Sequence, residues 1–107
     1  MITHEHIRYS EKTIEQKLVQ AVKAVGGIAP KFVCPGCSGM PDRIVLFPDG
    51  KIAFVEVKAM GNKPRPLQLH GHETLRRLGF KVYILDDVAD IASILTEIGV
   101  DNPAFKI

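Results

Sequence analysis

The sequence predicts an α/β domain built on a mixed four-stranded sheet flanked by helices. Three observations carry that prediction. Apolar residues at helical spacing lie near both ends of the chain, two strand-like apolar runs meet at Pro48-Asp49-Gly50, and the second run is followed by a helical segment and another strand. With 107 residues, 46% hydrophobic and 24% charged, the chain is expected to form one domain over 1–107, with enough apolar mass for one core. It has neither internal repeats nor a low-complexity stretch.

In chain order, Ile14, Leu18, Val22 and Val25 mark the first helix, which Gly26-Gly27 stops. Ile28 to Val33 is a weak first strand, ended by the turn-rich Cys34-Pro35-Gly36-Cys37-Ser38-Gly39. Asp42 to Phe47 and Lys51 to Lys58 are strong strands. Pro48-Asp49-Gly50 between them fits a three-residue hairpin loop, with proline starting a type I turn and glycine in the left-handed position. A loop with Gly61, Pro64 and Pro66 leads to a helix from about Leu67 to Leu78, closed by Gly79, and then to a strand from Phe80 to Leu85. That strand–helix–strand order predicts a parallel pairing through a right-handed crossover. Val88, Ile91, Ala92, Leu95 and Ile98 mark a final helix.

No apolar run approaches the roughly 18 residues of a membrane span, and the N-terminus lacks a signal-peptide pattern. The expectation is a cytoplasmic protein with no membrane partner. The net charge of +2 does not by itself indicate a nucleic-acid partner. Its distribution says more: between Lys58 and Lys81, the basic Lys63, Arg65, Arg76 and Arg77 meet a single acid, Glu73. This segment is the candidate for phosphate contact, although a solvated helix face has the same composition.

The chemistry follows from pairing the hairpin. If Phe47 faces Lys51, residues whose numbers sum to 98 are opposed, so Ile44 meets Phe54 and Asp42 meets Glu56, subject to a shift if Gly50 forms a bulge. Alternation places Ile52, Phe54, Glu56 and Lys58 on one face, and Ala53, Val55, Val57 and Ala59 on the other. Both faces are apolar up to Glu56, which predicts a central strand covered on both sides. Two carboxylates about 5 Å apart repel by roughly 3 kcal/mol at an effective dielectric of about 20. Lys58 offsets part of this. Glu15, beside the apolar stripe of the first helix, is a candidate third acid, and an oxygen-preferring cation such as magnesium suits a carboxylate cluster. Such a cation serves phosphoryl chemistry, with Lys58 orienting the attacking water or stabilising developing charge.

Pro41-Asp42, thirteen intervening residues, then Glu56-Val57-Lys58 resembles the motif of the PD-(D/E)XK nucleases. Gly39-Met40-Pro41-Asp42-Arg43, Phe54-Val55-Glu56-Val57-Lys58-Ala59, and Gln68 and His72 ahead of Leu78-Gly79 narrow the resemblance to the virus-type replication-repair nuclease (VRR-NUC) family. The resemblance implies a restriction-endonuclease-like αβββαβ core with an extra C-terminal helix. It also implies Mg2+ or Mn2+ held by Glu15, Asp42, Glu56 and the Val57 carbonyl, Lys58 as catalytic lysine, and Gln68 as a further active-site residue. A standalone, phage-type member would be a homodimer cutting branched DNA such as four-way (Holliday) junctions in a bacterial host, with no small-molecule cofactor.

Each element has a plainer alternative. Aspartate followed at a distance by Glu-x-Lys occurs by chance, Glu15 could be a surface acid, and Gln68 and His72, four apart on one helix face, could form a polar rim or touch DNA. Arg43 points away from Asp42, which favours a structural ion pair. Cys34-Pro-Gly-Cys37 is half a zinc site on paper, with His4, His6, His70 and His72 as conceivable completions, but two loop thiols in a reducing compartment are favoured. The rival to an endonuclease is a non-catalytic nucleic-acid-binding module of the same fold. A pure binder, however, gains nothing from acids clustered beside phosphate. For a homodimer, the C-terminal helix and the tail bearing Phe105 and Ile107 are the candidate surfaces.

Overall fold

The computed structural model describes residues 8–100. Its elements are α1 (Glu11–Ala24), β1 (Arg43–Phe47), β2 (Lys51–Val57), α2 (Pro66–Arg77), β3 (Lys81–Leu85) and α3 (Ile91–Ile98), with short 3-10 turns at Pro48–Gly50 and Val88–Asp90. Ser10 caps α1 by accepting the Thr13 N–H at 3.1 Å. Glu11 in the first turn and Lys23 in the last match the helix dipole. Ile14, Leu18 and Val22 are its buried stripe.

The sheet order is β1-β2-β3, with β1 antiparallel and β3 parallel to β2. The hairpin has the register read from the sequence, Phe47 opposite Lys51 and Ile44 opposite Phe54, unshifted by Gly50. Its turn differs in one respect. Asp49 (φ 67) shares the left-handed region with Gly50 (φ 73), a conformation that aspartate tolerates better than most side chains.

The expected fourth strand is corrected: among the described residues the sheet has three. Residues 28–33 do run antiparallel beside β1, but only as isolated bridges, Ile28 to Leu46 and Lys31 to Arg43. Pro30 is the cause. The Ile44 N–H donates to the Pro30 carbonyl at 3.2 Å, but proline has no N–H to return the bond, so the ladder is broken at its middle.

Strand alternation gives the sheet two cores. Ile14, Leu18 and Val22 of α1 and Ile91, Ile94, Leu95 and Ile98 of α3 cover the face bearing Val45, Phe47, Ala53, Val55, Val57 and Leu85. Phe54, Val82 and Leu75, with Phe32, Met40 and Ile44 against them, form the other. β2 therefore feeds both cores, as its two-sided apolar pattern requires. The apolar stripe of α3 is turned inward, which removes it as a surface for a second copy; residues 102–107, the other surface suggested by the sequence, lie outside the described residues. Among the described residues no helix is long and apolar enough to cross a membrane.

The loop before β1 is pressed against α2. A Cβ at Gly39 (φ +83) would lie 2.2 Å from the Leu67 carbonyl oxygen, and one at Gly71 would lie 2.3 Å from the Gly39 carbonyl oxygen. Two glycines thus let backbone meet backbone. Farther out on this loop the Cys34 and Cys37 sulfurs are bonded to each other, where two free thiols were expected, in a turn closed by the Cys37 N–H to the Cys34 carbonyl at 3.0 Å. His4 and His6 lie outside the described residues.

Candidate active site

Asp42 immediately precedes β1, and continuing the hairpin register past Arg43 opposite Val55 sets it against Glu56. One aspartate oxygen, Oδ2, accepts the Val57 N–H at 2.9 Å, which ties the carboxylate to the neighbouring strand. Glu56 is 1% exposed. Its Oε2 accepts from Gln68 Nε2 at 3.1 Å and lies 3.5 Å from Lys58 Nζ. Its Oε1 is buried, without a hydrogen-bond partner, and 3.5 Å from His72 Nε2. Gln68 is held in turn: its Oε1 accepts the Arg65 N–H at 2.8 Å at the start of α2, where Pro66 pre-sets the first turn. Asp42, Glu56, Val57, Lys58 and Gln68 are thereby brought together.

Burial, and after it the Asp42 charge, pushes the Glu56 carboxyl up to about 7, against the opposing pull of Lys58. The consequence for stability has a definite sign. In the metal-free protein Glu56 ionises from about 4.5 when unfolded but about 7 when folded, so across that window the unfolded chain loses its proton first. Stability is expected to fall by about 3 kcal/mol as pH rises through the window. Urea denaturation in chelator over a pH series checks this, and the Glu56→Gln variant should lack the slope and be more stable than the parent above pH 7.

Two oxygen donors of this kind fit a hard divalent cation. Two carboxylates stand side by side at the ends of adjoining strands, and their mutual repulsion is what a cation would relieve. The set is smaller than the sequence suggested. Among the described residues no three His, Cys, Asp or Glu side chains converge as a metal site. Glu15 is the one missing: its Oε2 accepts Arg43 Nε at 2.8 Å, while Arg43 Nη1 donates to the Ala29 carbonyl at 2.7 Å. Arg43 pairs with Val55, whose side chain lies in the α1 core, so this ion pair belongs to the face of the sheet opposite Glu56. Glu15→Gln is accordingly expected to keep metal affinity and cleavage, and to lose about 1 kcal/mol of stability in a denaturation curve.

The basic residues are dispersed. Lys63 and Arg65 are exposed, and Arg65 lines a concavity of about 430 Å3 with Gly39, Met40, Pro66, Leu67 and Gln68 beside the carboxylates. Arg76 is anchored on the Val82 carbonyl at 2.9 Å. His72, expected at a nucleic-acid contact, is corrected to an interior residue, since it is 0% exposed. The helix face that carries Gln68 continues through His72 and Leu75 into the core, a stripe at four- and three-residue spacing that was the available signal.

Comparison with known proteins gives the family. The family model described as VRR-NUC domain matches residues 3–89. The protein called "Putative nuclease p44" of Acyrthosiphon pisum secondary endosymbiont phage 1 is 54% identical over 85 residues, covering 79% of this chain and 90% of the phage protein. A solved structure described as a VRR_NUC domain superposes with a TM-score of 0.76 at 35% identity, over 82% of this chain and 95% of that one.

Proposed function

Since the chain belongs to the VRR-NUC domain family of nucleases, we propose that it is a Mg2+- or Mn2+-dependent deoxyribonuclease that hydrolyses phosphodiester bonds in branched DNA. The observation that carries this reading is the opposition of Asp42 and Glu56 beside Lys58. Asp42, Glu56 and the Val57 carbonyl would hold the cation. Bound there, it would supply charge neutralisation at a phosphate and a lowered pKa for water.

The chain's own residues supply the rest. Gln68 fixes Glu56 from the start of α2, and the Val57 N–H fixes Asp42, so both carboxylates are oriented before substrate arrives. Lys58, with a side chain 15% exposed, keeps its ammonium at the rim, where it can donate to a phosphate oxygen. Arg65 and Lys63, on the loop leading into α2, extend positive charge along one side. A four-way junction has two strands to cut and the described residues of each chain form one such site, so a two-copy assembly is the working form on that substrate.

The test is cleavage of duplex, flap and four-way-junction DNA with Mg2+ or Mn2+, with light scattering at the same protein concentrations. Junction or flap cleavage above duplex cleavage is the expected result. Binding without cleavage of any substrate would replace the enzyme by a nucleic-acid-binding module. Junction cleavage by a monomer, unaffected by dilution, would remove the two-copy form.

A further inference from the structure

His72 is the largest element of the site region without a role. It is 0% exposed, in the middle of α2, and both ring nitrogens are buried with no hydrogen-bond partner. The nearest acceptor is also unsatisfied: Glu56 Oε1 lies 3.5 Å from His72 Nε2. Buried polar groups left unpaired are unfavourable, and three of them gathered at one point indicate a shared purpose.

We propose that His72 is a positioning residue, whose Nε2–H is donated to Glu56 Oε1 and locks that carboxylate so that Oε2 is the oxygen presented to a divalent cation.

The chemistry of the two groups leaves one consistent arrangement. A neutral imidazole carries one N–H and one lone pair, and both ring nitrogens here are buried away from water. An ionised carboxylate only accepts. With the proton on Nδ1, the lone pairs of Nε2 and Oε1 would face each other and the Nδ1–H would be buried without an acceptor. With the proton on Nε2, donor faces acceptor, and a closing of a few tenths of an ångström from 3.5 Å completes the bond. Glu56 is then held on two sides, by Gln68 and Lys58 at Oε2 and by His72 at Oε1. The glutamate cannot turn toward the interior, where a cation could not follow. Outer partners that orient a ligand in this way are typically worth 10–100-fold in metal affinity.

The metal part of this proposal rests on the nuclease reading, while the tautomer does not, and the tests separate them. Long-range 1H–15N correlation spectra of the metal-free protein, recorded well above neutral pH so that Glu56 is ionised, should show the His72 proton on Nε2. A proton on Nδ1 overturns the proposal. In calorimetric titration with Mn2+, His72→Leu is expected to bind about 10–100-fold more weakly than the parent. Its melting temperature in chelator above neutral pH should fall, because the ionised Glu56 Oε1 loses its donor. A histidine that merely fills space would lose melting temperature and leave Mn2+ affinity alone, so a folded His72→Leu with parental Mn2+ affinity also overturns the proposal. His72→Gln, which retains an N–H of similar reach, should recover most of the affinity, and it decides the matter with the spectrum if the leucine variant does not fold. A parent protein that cleaves no DNA would end the nuclease reading and leave the tautomer standing.

Discussion

Lys58→Ala should lower single-turnover DNA cleavage by about 10²–10³-fold, the usual loss when one donor to developing charge is removed, while leaving Mn2+ affinity unchanged or slightly higher. An ammonium does not coordinate a cation, and its removal takes a like charge away from the metal. Asp42→Asn should behave differently. The amide oxygen can still accept the Val57 N–H that Oδ2 accepts at 2.9 Å, so the strand end stays in place. The charge is gone, however, and affinity and cleavage should fall together. Losing Lys58 pushes the Glu56 carboxyl further up and losing the Asp42 charge brings it down, so each variant is titrated over a pH series, and cleavage is measured on the same DNA. Parental cleavage by Lys58→Ala, with parental metal affinity in Asp42→Asn, would leave the two residues as a coincidence of sequence.

Gly71→Ala is expected to destabilise the protein by about 2 kcal/mol and to reduce cleavage by about 10²-fold in the fraction that stays folded. Alanine favours a helix over glycine by about 1 kcal/mol, so an isolated α2 would gain. Here the new methyl would lie 2.3 Å from the Gly39 carbonyl oxygen, and a backbone atom cannot swing away as a side chain can. The loop has to move, and Asp42 follows three residues after Gly39. Gly36, where an added Cβ meets nothing within 4 Å, is the control; Gly36→Asn should cost less than about 1 kcal/mol, because asparagine tolerates its left-handed backbone. Thermal melts and single-turnover rates of both variants check the pair. Equal effects at the two glycines would mean that the contact between loop and helix does not hold the site.

Legibility in the sequence follows a physical division. The hairpin could be paired in advance because Pro48-Asp49-Gly50 and strict alternation leave one register, and that register sets Asp42 against Glu56. The central place of β2 could be read because only a strand covered on both sides is apolar on both. What escaped depends on how a helix is rotated against a sheet. Glu15 sits next to Ile14 in sequence and was drawn toward the carboxylates, yet α1 packs on the Val55 face and gives Glu15 to Arg43. The structural role of Arg43 was legible from its parity with Asp42, and joining that parity to Glu15 would have found the pair. His72 belongs to the same class: its spacing from Gln68 was noticed, but which way the shared face turned is a tertiary fact. Pro30 was in plain view, and its missing N–H was enough to interrupt the edge strand.

Asp42, Glu56 and Lys58 all stand on one hairpin or at its ends, so the distances among the reactive groups are set by two adjoining strands. The turn at Gly36 and the loop at Gly61 lie outside that hairpin, and both are open enough that an added Cβ meets no atom within 4 Å. The hairpin that sets these distances and the open turns are therefore different stretches of chain. Insertions or substitutions at those two loops can change the surface of the molecule while the spacing set by the hairpin passes through unchanged.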